Sequence, residues 1–294
     1  MKKLGLALVK FWAYCLSMRP YWLLYLRSDF YFFLVYHVAH YRRKVVRENL
    51  LRSFPEKGLE EIKTIEKQFY HNLCDQVVEM FKLVRMSVDD IKKHIVVTNP
   101  EVVSELYSKQ KSVFFAFPHS GNWEWFGKLM QTLSPHHPMA IYKKVKNPVF
   151  EQFVFDLRSN LPVEMIESNS ALRALAQREG ELDQVLILAD QSPQGLKTDY
   201  WTEFLHQDTC WFTGLERMAK YLDYAVVFVA MKRVWRGYYE LTFYRITDAP
   251  KETEKGYIME QYVRCVERFI NEQPDNWLWS HRRWKHQRPQ KTEA

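Results

Sequence analysis

Hydrophobic and polar positions change rhythm twice along the chain. The first stretch, "LGLALVKFWAYCLSMRPYWLLYLRSDFYFFLVYHVAHY", is apolar and aromatic almost throughout, but Lys10, Arg19, Arg27 and Asp29 interrupt it. Those charges arrive before about 18 apolar residues accumulate, so no clean membrane span forms. Lys10 inside the apolar region, with no small-x-small site behind it, also argues against a cleaved signal. Tyr, Trp, Lys and Arg set among leucines are residues that settle at a lipid headgroup boundary. Residues 1–52 are therefore expected to form a helical, membrane-associating segment. Leu4–Met18 would either span the bilayer or lie in its interface; a buried helical hairpin turning at Pro20 fits the same residues.

From Tyr41 the chain turns basic and then helical. Ile62, Ile65, Phe69, Leu73, Val77, Met80 and Phe81 keep the three-to-four spacing of one buried helix face, and Ser87 with Asp90 reads as a capped helix start. Beyond Asn99 the rhythm changes again. Apolar runs at Val113–Phe117, Met139–Tyr142, Val163–Ile166, Val185–Ala189 and Ala225–Met231 alternate with helical segments. This alternation predicts an α/β fold, an αβα sandwich around a mostly parallel sheet. "GYYELTFYRI" after Gly237 reads as an antiparallel edge strand, and Thr253–Glu272 as a closing helix. With no repeat and no linker, residues 53–294 are expected to form one α/β domain.

Composition narrows the function. Apolar residues make up 47% of 294 positions, which excludes disorder, while the mean hydropathy of -0.39 excludes a polytopic membrane protein. Nine glycines arranged in neither GxGxxG nor GxxxxGK[ST] give no nucleotide-binding loop. The net charge of +7 favours acidic partners such as phospholipid surfaces, phosphorylated substrates or an acidic carrier protein. Nucleic acid is the weakest option, because the aromatics lie in apolar runs rather than among the basic residues, except at the C-terminal tail. Cys15, Cys74, Cys210 and Cys265 stand far apart with no CxxC pair, as expected of a reduced, cytosol-facing protein without a zinc site.

The candidate chemistry lies in "FFAFPHSGNWEW", Phe114–Trp125. In a parallel sheet, ligands bind beyond the carboxyl ends of the strands, so a loop following Phe114–Phe117 puts His119 on the functional rim. Five residues apart on one helix, His119 and Glu124 would diverge by roughly 140°. They meet only if His119 stays in the loop and Glu124 enters the first helical turn, which Pro118 and Gly121 permit. Glu124 would then hydrogen-bond the imidazole and leave its other nitrogen to take a proton from a hydroxyl, with N–H groups near Gly121–Trp123 facing an anionic intermediate. A loop His that satisfies backbone groups, with a Glu serving the helix dipole, is the plainer alternative. Asp190 ends another apolar run, on the same rim if the sheet is parallel; a turn-forming Asp before Ser192-Pro193 is the plainer alternative. Lys143, Lys144, Lys146 and Arg158 follow the Met139–Tyr142 run, and the tail "NWLWSHRRWKHQRP" gathers Arg282, Arg283 and Lys285 among tryptophans. These basic groups would recognise phosphate or an acidic carrier.

"HSGNWE" resembles the HX4D/E motif of the bacterial lipid A late acyltransferases, within the wider lysophospholipid acyltransferase superfamily. Three further segments, in the same order, are similar to that family: "RRKVVRENLLRSFPE", "LADQSPQG" and "WLWSHRRWK". The chain departs from the family pattern in its charge-interrupted N-terminus and in "YWTEFLHQDTCWFTG" after Asp190. The resemblance implies a glycerol-3-phosphate-acyltransferase-like fold at the cytoplasmic face of the bacterial inner membrane. It implies an acyl thioester donor (acyl-carrier protein or acyl-CoA), a lipid hydroxyl acceptor, and no metal or cofactor. It makes His119 the general base and Glu124 its partner, and carries over Arg158 and Asp190 as site residues; Asn122, Lys143, Lys144, Gln191, Arg282 and Arg283 complete the substrate-binding candidates. The acceptor would be a lipid A precursor. A phospholipid, glycolipid or aminolipid acceptor is the alternative, and a non-catalytic membrane-surface binding protein on the same fold is the rival of another class.

Overall fold

The computed structural model of the chain describes residues 2–144, 148–159, 161, 163–178, 180–193 and 200–288. Among the described residues, five α-helices come first: α1 (Lys2–Ser17), α2 (Tyr21–Phe32), continued by a π-helical turn (Phe33–Val38), α3 (Arg43–Ser53), α4 (Leu59–Lys82) and α5 (Val88–His94). Strand–helix alternation follows, with β1 (Ile95–Val97), α6 (Glu101–Ser108), β2 (Val113–Phe117), α7 (Trp123–Leu129), β3 (His137–Tyr142), α8 (Pro148–Ser159), β4 (Glu164–Glu167), α9 (Ala171–Ala176) and β5 (Asp183–Leu188). A hairpin of β6 (Tyr200–Phe204) and β7 (Gln207–Trp211), then α10 (Gly214–Leu222), β8 (Ala225–Trp235), β9 (Tyr238–Thr247) and α11 (Tyr257–Glu272) complete the order.

Among the described residues, seven strands form one sheet in the order β1-β9-β8-β2-β5-β3-β4. From β8 to β4 all neighbours run parallel; β9 is antiparallel to β8, and β1 pairs parallel with β9. Side chains along β2 alternate between two cores. Phe114 and Ala116 face α3, α4, α10 and α11, whereas Val113, Phe115 and Phe117 face α5, α6 and α7. Both faces are covered, which is why β2 reads as an unbroken apolar run rather than an alternating one.

Two expectations are corrected, and one element is new. The strand after Gly237 is antiparallel but not an edge, because β1 lies outside it. The β6–β7 hairpin was not foreseen: Leu205 and His206 take positive φ (49° and 62°) in a turn that normally advertises itself by Gly or Asn. On α4, Ile62, Ile65 and Phe69 are buried as expected, but Val77 is exposed and Cys74 and Val78 are buried in its place. The later half of α4 lies between α2 and the sheet, so it buries two faces, one carrying Asp75 and Glu79. Asp75 accepts from Arg233 and from Arg236 Nε (2.9 Å).

The α1–α2 hairpin turns at Pro20 and packs through Ala13, Leu16 and Leu24 onto α4 and α8. No described helix is long and apolar enough to cross a membrane. The Ser87–Asp90 capping box forms as expected.

Candidate active site

The loop from Pro118 to Asn122 joins β2 to α7. Gly121 sits at φ +56°, where a Cβ would lie 2.8 Å from the Met231 carbonyl oxygen, so both conformation and space demand glycine. Asn122 caps α7 by accepting the Trp125 N–H (3.2 Å). The C-terminal segment stitches the loop down. The Leu278 N–H donates to the His119 carbonyl (3.1 Å), and the Gly121 N–H donates to Asn276 Oδ1 (3.1 Å). That segment is held in turn by the basic N-terminal stretch, where Asn49 Nδ2 donates to the carbonyls of Trp279 (2.9 Å) and His281 (3.0 Å) and Arg42 to that of Ser280 (2.9 Å).

Sheet register brings the chemistry together. Phe117 pairs with Leu188 across the parallel β2–β5 ladder, so His119 and Asp190, each two residues further on, emerge side by side on the rim. The Asp190 carboxylate accepts the His119 backbone N–H (2.9 Å), sits 2.5 Å from His119 Nδ1, and accepts the Trp277 indole N–H (2.7 Å). Asp190 is buried, whereas the His119 side chain is 15% exposed. Burial by itself pushes the Asp190 carboxyl up. The charge of the His119 imidazolium, with hydrogen bonds from His119 and Trp277, outweighs that and brings it down to about 2. An ionised Asp190 assigns the Nδ1 proton to the shared hydrogen bond and leaves Nε2 as the basic nitrogen. The Gln191 amide nitrogen lies 3.2 Å from that Nε2.

Glu124 is not the hydrogen-bond partner of His119. The first turn of α7 carries it toward α8, where its carboxylate accepts Arg158 Nε (3.0 Å) and Arg158 Nη2. Burial by itself lowers the Arg158 pKa, but the Glu124 hydrogen bond and charge raise it overall. Trp123 links the two pairs: its ring meets His119 edge-on at 5.4 Å, and its indole N–H donates to Glu124 Oε1 (3.2 Å). Gly121 also differs from expectation, since its N–H is committed to Asn276 rather than open to an anion.

The remaining candidates scatter. Besides capping α7, Asn122 donates through Nδ2 to Glu79 Oε2 (2.8 Å). Lys143 and Lys144 are exposed after β3, the neighbour of β5, and Lys144 pairs with Glu167 (2.7 Å); Lys146 lies outside the described residues. Gln191 and Arg282 are exposed at the rim. Arg283 is wholly buried with its guanidinium 4.2 Å over the Trp211 ring, so it faces the interior instead of a ligand. Burial brings its pKa down to about 10. Sequence reasoning missed Trp277 as a donor to Asp190, Asn276 as a clamp on Gly121, and Glu79 beneath α7. Only the packing tryptophans of the tail gave any signal; Glu79 looks like a surface position of a long helix.

A model of the family described as bacterial lipid A biosynthesis acyltransferase matches residues 3–286. No curated protein matches the chain. The match spans nearly the whole sequence, so the chain belongs to the bacterial lipid A biosynthesis acyltransferase family and is an enzyme that transfers acyl groups. Its family works on lipid A or related lipids, and its members are membrane-associated in bacteria.

Proposed function

With that membership as premise, we propose that the chain moves a fatty acyl group from an acyl thioester, on acyl-carrier protein or CoA, to a hydroxyl of a lipid A precursor. In this reading the reaction takes place at the cytoplasmic face of the bacterial inner membrane. Residues 1–52 associate with the membrane, and residues 53–294 carry the chemistry. One observation supports the mechanism above all: Asp190 holds His119 Nδ1 at 2.5 Å while the ring's other nitrogen points to the rim. The acceptor hydroxyl displaces the Gln191 amide and gives its proton to Nε2 as its oxygen attacks the thioester carbonyl. Asp190 stabilises the imidazolium that forms. Main-chain donors at the start of α7, Asn122 and Trp123, stabilise the tetrahedral oxyanion. Collapse breaks the C–S bond, and the leaving sulfur takes the proton from His119. The products are an ester and a free thiol.

Glu124 and Arg158 act through Trp123 and the wall of the site rather than by touching the imidazole. Lys143, Lys144 and Arg282, exposed on the same rim, receive the phosphates of the acceptor or the acidic face of a carrier. Arg283, buried against Trp211, supports the rim from within. The test is mass spectrometry of membrane lipids with and without the gene. A lipid A species short of one acyl mass is the expected result. The same loss from a phospholipid, glycolipid or aminolipid would move the acceptor. An unchanged lipid profile, with no thioester consumed by purified enzyme, would overturn the reading.

A further inference from the structure

Two regions about 200 residues apart in sequence are joined side by side, and each exposes large apolar side chains. On α2 and the turn that continues it, Trp22, Leu26, Phe30 and Phe33 are all more than half exposed. At about 100° per residue they fall within one stripe roughly 80° wide. Tyr25 and Asp29 flank that stripe and hold the turn between β8 and β9. Arg236 donates to Asp29 (3.3 Å from Nη1) and lies 4.8 Å over the Tyr25 ring. Gly237 packs so closely that a Cβ there would sit 2.2 Å from the Tyr25 hydroxyl oxygen. The same turn shows Val234 and Trp235 to solvent, at 66% and 72% exposure, with Tyr238 half exposed beside them.

Strand lengths put this turn on the side of the chemistry. β8 pairs with β2 only from Ala225 to Phe228, then runs on to Trp235, past the rim where β2 ends. Met231 abuts Gly121 of the catalytic loop, and Trp235 lies four residues further on, about 13 Å at the rise of a strand. A long hairpin therefore projects beyond the rim and ends in a valine and a tryptophan.

We propose that the β8–β9 turn is a membrane-docking element that, together with the α2 stripe, seats the rim of the active site against a lipid bilayer. The proposal rests on the acyl-transfer reading only in taking the acceptor to be a lipid. The bilayer is favoured as occupant on three grounds: the family is membrane-associated, the exposed residues are rich in Trp and Tyr with Arg19 and Arg27 close by in sequence, and the chain carries +7. Exposed aromatics beside a site that must receive a lipid are otherwise a liability in water.

The experiment is flotation of the full chain with vesicles of mixed phosphatidylethanolamine and phosphatidylglycerol, in high salt to remove headgroup attraction. Val234→Asn combined with Trp235→Asn should lower partitioning about tenfold or more, given the apolar surface withdrawn. Tyr221→Asn, at an aromatic 66% exposed on α10, should float like the wild type. His119→Ala should also float normally, so failure of docking and failure of catalysis are read on separate variants. A folded Val234/Trp235 variant that floats like the wild type would overturn the proposal. So would one that only converts a dimer to a monomer in sedimentation, since the face would then belong to a second copy of the chain.

Discussion

Two buried carboxylates hold the His119 loop, Asp190 at His119 and Glu79 at Asn122, and each accepts three hydrogen bonds. Asp190 receives the His119 backbone N–H, the His119 ring and the Trp277 indole. Glu79 receives Asn122 Nδ2 (2.8 Å), the Tyr239 hydroxyl (2.6 Å) and the Tyr25 hydroxyl (3.0 Å). The two nevertheless titrate in opposite directions. At Glu79 burial wins, pushing the carboxyl up despite the Tyr239 and Asn122 hydrogen bonds and the charge of Arg233. At Asp190 burial loses, and the carboxyl falls to about 2 because one of its partners can become a cation at hydrogen-bonding distance. At Glu79 the neutral donors and an Arg233 charge that makes no hydrogen bond to it do not offset the desolvation; at Asp190 a hydrogen-bonded imidazolium does. Asp190 is therefore built to respond to a proton on His119, and Glu79 to hold the cap of α7 in place.

The largest effect should separate the two at the level of rate. His119→Ala and Asp190→Asn should each lower single-turnover acyl transfer by about two to four orders of magnitude. His119→Ala also leaves the buried Asp190 carboxylate without its charged partner, so its rate is read per folded molecule, with the thermal midpoint measured on the same preparation. Wild-type turnover in a folded His119→Ala protein would end the mechanism. Glu79→Leu should do the reverse. It leaves the donors of Asn122, Tyr25 and Tyr239 without an acceptor and should lower stability by about 2–4 kcal/mol in urea denaturation. Turnover per folded molecule should change far less than for Asp190→Asn, and an equal loss of rate would dissolve the distinction.

A smaller effect concerns Glu124. Because it pairs with Arg158, Glu124→Gln and Arg158→Met should be non-additive in a double-mutant cycle on turnover, with a coupling of about 1–2 kcal/mol. Additivity would show that Glu124 acts independently of Arg158. The smallest effect is on pH dependence. Burial brings His281 down to about 4, and its Nε2 accepts the Ser192 N–H (3.1 Å). A folded value below the unfolded one, near 6.5, means that the unfolded chain binds the extra proton first. Stability should therefore decline as pH falls from about 6.5 toward about 4. The stabilisation from Asp190 persists lower, being lost only as pH falls from about 3.9 through about 2. Thermal midpoints across this range should show a shallower acid slope in His281→Phe, and an unchanged slope would remove His281 from the account.

Much of the architecture is legible locally. The run Val113–Phe117 could be read as a strand because both of its faces meet a core, and the Ser87–Asp90 cap because its hydrogen bonds span three residues. The helical face of α4 was readable only as far as Phe69. Beyond it the helix is buried on more than one side, and a periodicity rule assumes one. The hairpin of β6 and β7 was hidden because its turn places Leu205 and His206 where the rules look for glycine.

Sequence alone determined that His119 would stand in a loop at the carboxyl end of a strand, and that Asp190 would stand at the end of another, since a glycine-permitted turn and an apolar run are local properties. Which acid meets the histidine was not local. Spacing favoured Glu124, five residues away, but a helix fixes the direction of each side chain, and the first turn of α7 sends Glu124 to Arg158. Asp190, 71 residues distant, reaches the imidazole because β5 lies next to β2 with Leu188 level with Phe117. Strand order is set by how the helices cover both faces of the whole sheet, a sum over many weak contacts that no short segment encodes.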